Sequence, residues 1–246
     1  MVVKASQEGK DTVELSIVVP VYNEGESIEE LYSELRGTLD TLDKVWEIIL
    51  VDDGSTDTSP PRIADLSAHD QRVRIVRFPE NKGQSDALVE GFHLSRGNTV
   101  VSMDGDLQFD PHDIPMLLER LQASDVVCGW RQPRRDEWQR RFLSFLAYLV
   151  RYAVLGDRIH DSGCTFRAYR RRCVENLNLQ KGHHRFLPHI LRMNGYRVSE
   201  IPVNHRERRH GRSKYGIFRL WDGIRTLLTL WFAKRVRSGN TSPIHQ

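Results

Sequence analysis

Thr99–Asp110, TVVSMDGDLQFD, is a short apolar run that passes straight into three acceptor side chains, Asp104, Asp106 and Gln108. The run Thr99–Met103 has the β-branched composition of a buried strand. In an extended segment residues two apart share a side, so the alternation predicts that all three side chains converge just past the strand end. Carboxylate and amide oxygens suit a hard divalent cation, Mg2+ or Mn2+, which keeps open positions for water and phosphate oxygens. The same residues would also suit a polar loop capping the next helix, and this stretch alone leaves both readings open.

Similar runs precede it. Leu15–Val21 (LSIVVPV) ends at Tyr22, Asn23, Glu24 and Gly25, and Trp46–Val51 ends at Asp52, Asp53, Gly54, Ser55 and Thr56. Val73–Arg77 is a third strand, Thr99–Met103 the fourth and Asp125–Trp130 a fifth. Between them lie helical stretches: one opened by a Ser27/Glu30 capping box, one by Ser59-Pro60-Pro61, one closed by Gly97 as C-terminal cap, and one from Pro111 to about Ala123. Five alternations of strand and helix with short connections predict a doubly wound α/β fold with a mostly parallel sheet. Ligands of such sheets sit beyond the carboxyl ends of the strands, where all three polar clusters fall. Neither GxGxxG nor GxxxxGK[ST] is present, so neither a dinucleotide fingerprint nor a P-loop is offered.

Charge divides the chain. Residues 1–110 hold 10 Lys and Arg against 22 Asp and Glu, whereas residues 130–214 hold 20 against 7. An acidic front joined to a basic back points to a phosphate-bearing partner. Cys128, Cys164 and Cys173 form no CxxC pair, which argues for a reducing compartment. The N-terminus has no apolar leader, and no run reaches the length of a membrane span. A cytoplasmic protein is expected, resting on the membrane through two amphipathic stretches, residues 142–155 and 216–237. A buried core helix accounts for 142–155 almost as well. In the second half, a turn and strand are expected in 161–172, a helix in 184–195 and a strand in 197–203.

The segments VVPVYNE, VDDGSTD, NKG, DGDLQ, DSGC, HRFLP, IPVNHRER and GRSKYG, in this order, resemble glycosyltransferase family 2, in its dolichol-phosphate and polyprenyl-phosphate branch. The resemblance runs from about residue 14 to 230 and implies a GT-A fold. It implies a catalytic domain over 14–215, with a nucleotide-sugar half (14–130) and an acceptor half (131–215), a disordered 1–13, an amphipathic helix over 216–237 and a disordered tail, 238–246. By motif position Pro20, Tyr22, Glu24, Val51 and Asp53 would hold base and ribose. Asp104 and Gly105 would contact the nucleotide, Asp106 and Gln108 would ligate Mg2+ or Mn2+, and Arg131, Arg208 and Lys214 would reach the diphosphate or the acceptor phosphate. The implied reaction is inverting transfer of mannose or glucose from a GDP- or UDP-sugar to polyprenyl or dolichyl phosphate at the cytoplasmic face of the membrane. Membrane attachment would come from the amphipathic helices, a membrane-anchoring subunit or a homo-oligomer. Two departures stand out. Many relatives carry Ala at the position of Gly105, and many continue into transmembrane helices.

The alternatives remain visible in the residues. A saccharide acceptor would need a catalytic carboxylate, for which Asp136, Glu137 and Asp161 are the candidates. Arg170, Arg171 and Arg172 read as a solvated face, and Arg167 as site or scaffold equally. His183, His184 and His205 match no zinc spacing and read as loop or acceptor-contact residues. The basic segment lacks any nucleic-acid module, so no nucleic-acid partner is expected.

Overall fold

The computed structural model describes residues 12–132, 148, 149, 152, 153, 156, 159–180 and 182–207. Arg208, Lys214, Asp136, Glu137 and residues 216–237, where an amphipathic helix is expected, lie outside the described residues. Of the 142–155 stretch, Tyr148, Leu149, Tyr152 and Ala153 are described, and all four are helical.

The front half alternates as expected: β1 (Leu15–Val21), α1 (Ile28–Leu39), β2 (Trp46–Asp52), α2 (Ser59–His69), β3 (Val73–Arg77), α3 (Gln84–Leu94), β4 (Thr99–Ser102), α4 (Ile114–Leu121) and β5 (Val126–Arg131). Then come β6 (Arg167–Arg170), α5 (Leu187–Met193) and β7 (Val198–Val203). One sheet of seven strands runs β3-β2-β1-β4-β6-β5-β7. All pairings are parallel except those of β6, which is antiparallel to both β4 and β5.

The continuous apolar runs arise because the sheet is covered on both faces. Along β1, Leu15, Ile17, Val19 and Val21 meet the α1 side chains Leu31 and Leu35 and the α4 side chains Ile114 and Leu117. Val18 points the other way, with Ile49 and Val51, toward Ala87, Leu88 and Phe92 of α3 and Leu187 and Leu191 of α5. The chain leaves β1 toward β2 on one side and reaches β4 on the other. The crevice between the β1 and β4 ends is therefore the topological switch point where ligands bind in such folds.

The strand expected in 161–172 forms as β6, the antiparallel exception in a mostly parallel sheet, inserted between β4 and β5 and buried along Arg167–Tyr169. Several local expectations are corrected. The Ser27/Glu30 capping box does not form; the Ser27 hydroxyl instead donates to the Glu24 and Gly105 carbonyls. Gly97 does not close α3, which ends at Leu94. It is required where the chain crosses β1, since a Cβ there would lie 2.8 Å from the Leu15 and Ser16 nitrogens. The Pro111 helix starts as a 3-10 turn and its α-helical part stops at Leu121. The 184–195 helix likewise begins as a 3-10 turn, His183–Phe186.

Candidate active site

Three loops at the strand ends build the site, and their carboxylates do different jobs. After β2, Asp53 is buried and faces the 81–83 loop. Its Oδ1 accepts from the Lys82 and Gly83 nitrogens at 2.7 and 3.1 Å, and its Oδ2 from Gly83 N and Asn81 Nδ2 at 2.9 and 3.0 Å. Burial pushes the Asp53 carboxyl up, and those backbone donors pull against it. Asp52 accepts from Ser55 N at 2.8 Å and pairs with Arg77 at 3.1 Å. Gly54 between them has φ +71°, and a Cβ there would lie 2.6 Å from the Asn81 nitrogen, so only glycine lets the two loops close up.

After β1, Asn23 adopts φ +53°, a conformation asparagine tolerates. Its side-chain oxygen accepts from Thr56 N at 2.8 Å, and its own nitrogen donates to Ser55 Oγ at 2.9 Å. Glu24 N donates to Ser59 Oγ at 2.9 Å. Tyr22 and Glu24 thus sit on a loop laced to the β2 loop. A concavity of about 570 Å³ opens between the two, lined by Asn23–Glu26 and Thr56–Thr58. Pro20 is half-buried at the crevice. Val51, expected to touch the base or ribose, is fully buried under α3, so its side chain lines nothing.

After β4 the chain is not extended. It bends through Gly105–Leu107, and Leu107 takes φ +62° with its side chain in the core. A left-handed Leu costs roughly 1–2 kcal/mol, which the burial of its side chain offsets. Simple alternation therefore does not set where Asp104, Asp106 and Gln108 lie, because the chain turns between them. Asp106, almost fully buried, accepts from Gln108 N at 3.2 Å, and Gln84 Nε2 donates to Asp104 Oδ1 at 2.6 Å. Desolvation, then repulsion from Asp106, pushes the Asp104 carboxyl up to about 6; Thr165, Arg131 and Arg167 pull it back. Two desolvated carboxylates that repel each other supply hard oxygens of the kind a divalent cation takes. Among the described residues, no group of three or more His, Cys, Asp or Glu side chains has metal-binding geometry, so protein oxygens other than carboxylates and the substrate would complete the shell.

Across the crevice Arg131 grips Asp161 as a fork, Nε to Oδ2 at 2.7 Å and Nη2 to Oδ1 at 2.9 Å. The structure thus brings Arg131 within electrostatic reach of Asp104 while giving Asp161 a fixed partner. Arg167, fully buried, donates to the Ser162 and His184 carbonyls at 2.7 and 3.0 Å, joining the DSGC turn to the 182–186 loop. Ser85 continues that link, its Oγ 2.9 Å from His184 Nδ1. The solvated-face reading of Arg170–Arg172 is corrected in part. Arg170 donates to the Leu121, Gln122 and Ser124 carbonyls, capping the end of α4. Arg172 with Arg197 surrounds Asp125. Arg167, open between site and scaffold from the sequence, is a buried joint between loops, whereas Gln84 and Arg206 were not readable, because no local pattern marks a side chain whose partner is distant in sequence.

With this geometry in view, the Glycosyl transferase family 2 profile matches residues 16–177. The chain belongs to glycosyltransferase family 2. It is 34% identical over 242 residues to the dodecaprenyl-phosphate galacturonate synthase of Rhizobium johnstonii, covering 96% of this chain and 72% of that protein. It is 38% identical over 217 residues to the undecaprenyl-phosphate 4-deoxy-4-formamido-L-arabinose transferase of Edwardsiella ictaluri, covering 87% of this chain and 67% of that protein. A Pseudomonas paraeruginosa protein of the latter name is 40% identical, and this chain spans 64% of its length. Among solved structures, glucosyl-3-phosphoglycerate synthase from Mycobacterium tuberculosis, in complex with Mn2+, UDP and glucosyl-3-phosphoglycerate, superposes with a TM-score of 0.66 at 21% identity, covering 88% of this chain and 77% of that one. A Pyrobaculum calidifontis mannosyltransferase in complex with GDP-Man and Mn2+ gives 0.64 at 22% identity, covering 92% and 64%. These likenesses show the fold, so this family 2 chain is a GT-A glycosyltransferase. Among the described residues no helix of this family 2 enzyme is long and apolar enough to cross a membrane.

Proposed function

We propose that this family 2 enzyme transfers a sugar from a nucleoside diphosphate donor to the phosphate of a polyprenyl lipid, with inversion at the anomeric carbon. The observation that carries the reading is the Asp104/Asp106 pair at the switch point, facing Arg131, in a chain whose relatives are named as polyprenyl-phosphate sugar transferases. GDP and UDP both remain candidate donors. Mannose and glucose stand beside galacturonate and a formamido-arabinose, the sugars in the relatives' names. The lipid acceptor places the enzyme at a membrane surface, which we assign to the cytoplasmic face.

Asp106 and Gln108 would hold Mg2+ or Mn2+, and such an ion supplies Lewis-acid neutralisation of the charge that develops on the departing diphosphate. The residues of the chain do the rest. Tyr22, Glu24 and the Asp53-ordered loop shape the crevice for base and ribose, and Asp104 orients the donor from below. Arg131, with Arg208 and Lys214 outside the described residues, offers charge-assisted hydrogen bonds to the two approaching phosphates. A phosphomonoester has its second pKa near ~6 and is mostly dianionic at neutral pH, so it attacks without a protein base. Catalysis then consists of alignment and charge suppression. Of the candidate bases for a saccharide acceptor, Asp161, the one among the described residues, is already bound through both oxygens to Arg131.

The test is a donor screen. Enzyme, Mn2+ or Mg2+, labelled GDP- and UDP-linked hexoses, uronates and pentoses, and undecaprenyl or dolichyl phosphate are incubated, and label is extracted into organic solvent. A lipid-soluble product identified by mass spectrometry is expected for one donor. Water-soluble product alone, from any acceptor, would refute the lipid-phosphate reading.

A further inference from the structure

The segment after β7 is fastened to the Asp104–Asp113 stretch at successive residues. Asn204 donates from its backbone nitrogen and its side-chain amide to the two oxygens of Asp113, at 2.6 and 2.9 Å. His205 forms an antiparallel bridge with Phe109, and its Nε2 lies 3.4 Å from Gln108 Nε2. Arg206 N donates to the Gln108 carbonyl at 2.8 Å. The Arg206 guanidinium then spans two elements. Its Nη1 contacts both Glu34 oxygens of α1 at 2.8 and 2.7 Å, and its Nη2 contacts Asp110 Oδ2 at 2.8 Å. At the other end of the loop, Ser27 of the α1 start donates to the Gly105 carbonyl at 2.8 Å.

The loop carrying Asp106 and Gln108 is thus pinned to α1 twice, at Gly105 by Ser27 and at Asp110 through Arg206. Gln108 lies between these pins, its carbonyl held by the Arg206 backbone. Only arginine can do this, because its planar fork meets two carboxylates at once while lysine presents a single point. The three charged groups are each about three-quarters buried, with 26, 23 and 20% of the Arg206, Glu34 and Asp110 side chains exposed, so solvent screens the pairs only in part.

We infer that Arg206 is a positioning residue that sets the affinity of the Asp106/Gln108 site for a divalent cation. The inference rests on the metal reading given above, and it adds that the loop needs the Glu34–Arg206–Asp110 brace to present its oxygens. Outer partners of metal ligands commonly change affinity by about 10- to 100-fold.

The experiment is Mn2+ titration of the whole chain with UDP present, followed by electron paramagnetic resonance, on wild type, Arg206→Met, Arg206→Lys, Glu34→Gln and Gln108→Ala, with melting curves for each. Arg206→Met is expected to weaken Mn2+ binding about tenfold, with Glu34→Gln and Arg206→Lys between it and wild type. Its half-saturating Mn2+ in turnover should rise in step, while kcat recovers at saturating Mn2+. A merely structural role would lower melting temperature without moving the Mn2+ isotherm of the folded fraction. Wild-type Mn2+ binding in Arg206→Met and Glu34→Gln, alongside a loss in Gln108→Ala, would overturn the inference alone. Wild-type binding in Gln108→Ala as well would overturn the metal assignment beneath it.

Discussion

Two acidic strand ends flank β1 in the sheet, those of β2 and β4, and their carboxylates are held differently. At the end of β2, the oxygens of Asp53 are taken up by the 81–83 loop and Asp52 is taken up by Ser55 and Arg77. At the end of β4, burial first and repulsion from Asp106 second push the Asp104 carboxyl up to about 6. Carboxylates satisfied by backbone donors shape a loop. A desolvated carboxylate whose charge is penalised, as at Asp104, is what the proposed cation or substrate role would use, at a cost to the empty fold. Residue type and position in the topology are alike at both ends; Asp53 takes three hydrogen bonds from backbone nitrogens, whereas Asp104 is held by the Gln84 side chain and repelled by Asp106.

The sharpest way to break the contrast is to neutralise each end in turn. Asp106→Asn should cut turnover on the order of 100- to 1000-fold, the scale of a lost charge-stabilising group at a transition state. Its melting temperature should stay level or rise, because a repulsion disappears. Asp53→Asn should do the reverse. Replacing an acceptor oxygen by an NH2 that faces the Lys82 and Gly83 nitrogens should destabilise the fold by about 1–3 kcal/mol. Activity per folded molecule should suffer less than in Asp106→Asn. Steady-state kinetics and thermal melts on both variants decide it.

A third carboxylate sets the far extreme. The Asp125 carboxyl is held down to about 2 by the Arg197 backbone nitrogen first, then by the Arg197 and Arg172 guanidinia. Because its folded pKa is depressed, its stabilisation is present above pH 4 and is lost as pH falls toward 2. Asp125→Asn should therefore lower stability at pH 7 by about 1–3 kcal/mol, with the deficit shrinking below pH 4, and leave kcat unchanged. Denaturation across pH 2–8 measures it.

Asp104 should give the opposite sign. Its folded pKa is raised, so ionisation penalises the empty fold, and the penalty grows as pH rises from about 4 to 6. Asp104→Asn should stabilise the metal-free protein above pH 6 and not below pH 4, and Mn2+ affinity of the wild type should fall as pH drops through 6. The smallest effect is expected at Gly105. A Cβ there would meet Pro20 O and Val19 Cγ1 at 3.6 Å and Glu24 Cγ at 3.9 Å, which is ordinary contact. Gly105→Ala should change stability by less than about 0.5 kcal/mol and retain activity. The Ala expected in relatives is then a neutral exchange.

Strands β1 to β5 were legible because a strand covered on both faces is a continuous apolar run, and the polar clusters that end such runs mark the ligand edge. Strand β6 was blurred. Its RAYR sequence carries Arg167, which is buried, and Arg170, which caps α4, so both charges imitate surface. Its antiparallel insertion between β4 and β5 leaves no periodic trace. The DGDLQ stretch could be singled out at the end of β4, but its shape could not be read, since the left-handed turn falls on Leu107, a residue that disfavours it. The Arg206 brace joins Glu34 to Asp110 across most of the chain, beyond the reach of any local pattern.

The account turns on which of the two acidic ends binds the ion. A crystal soaked with Mn2+ and UDP, with an anomalous difference map recorded at the manganese edge, answers this directly. The expected result is a peak about 2.0–2.4 Å from oxygens of Asp106 and Gln108, shared with the diphosphate. A peak beside Asp52 and Asp53, or nucleotide bound in the crevice with no ion at Asp106, would contradict it.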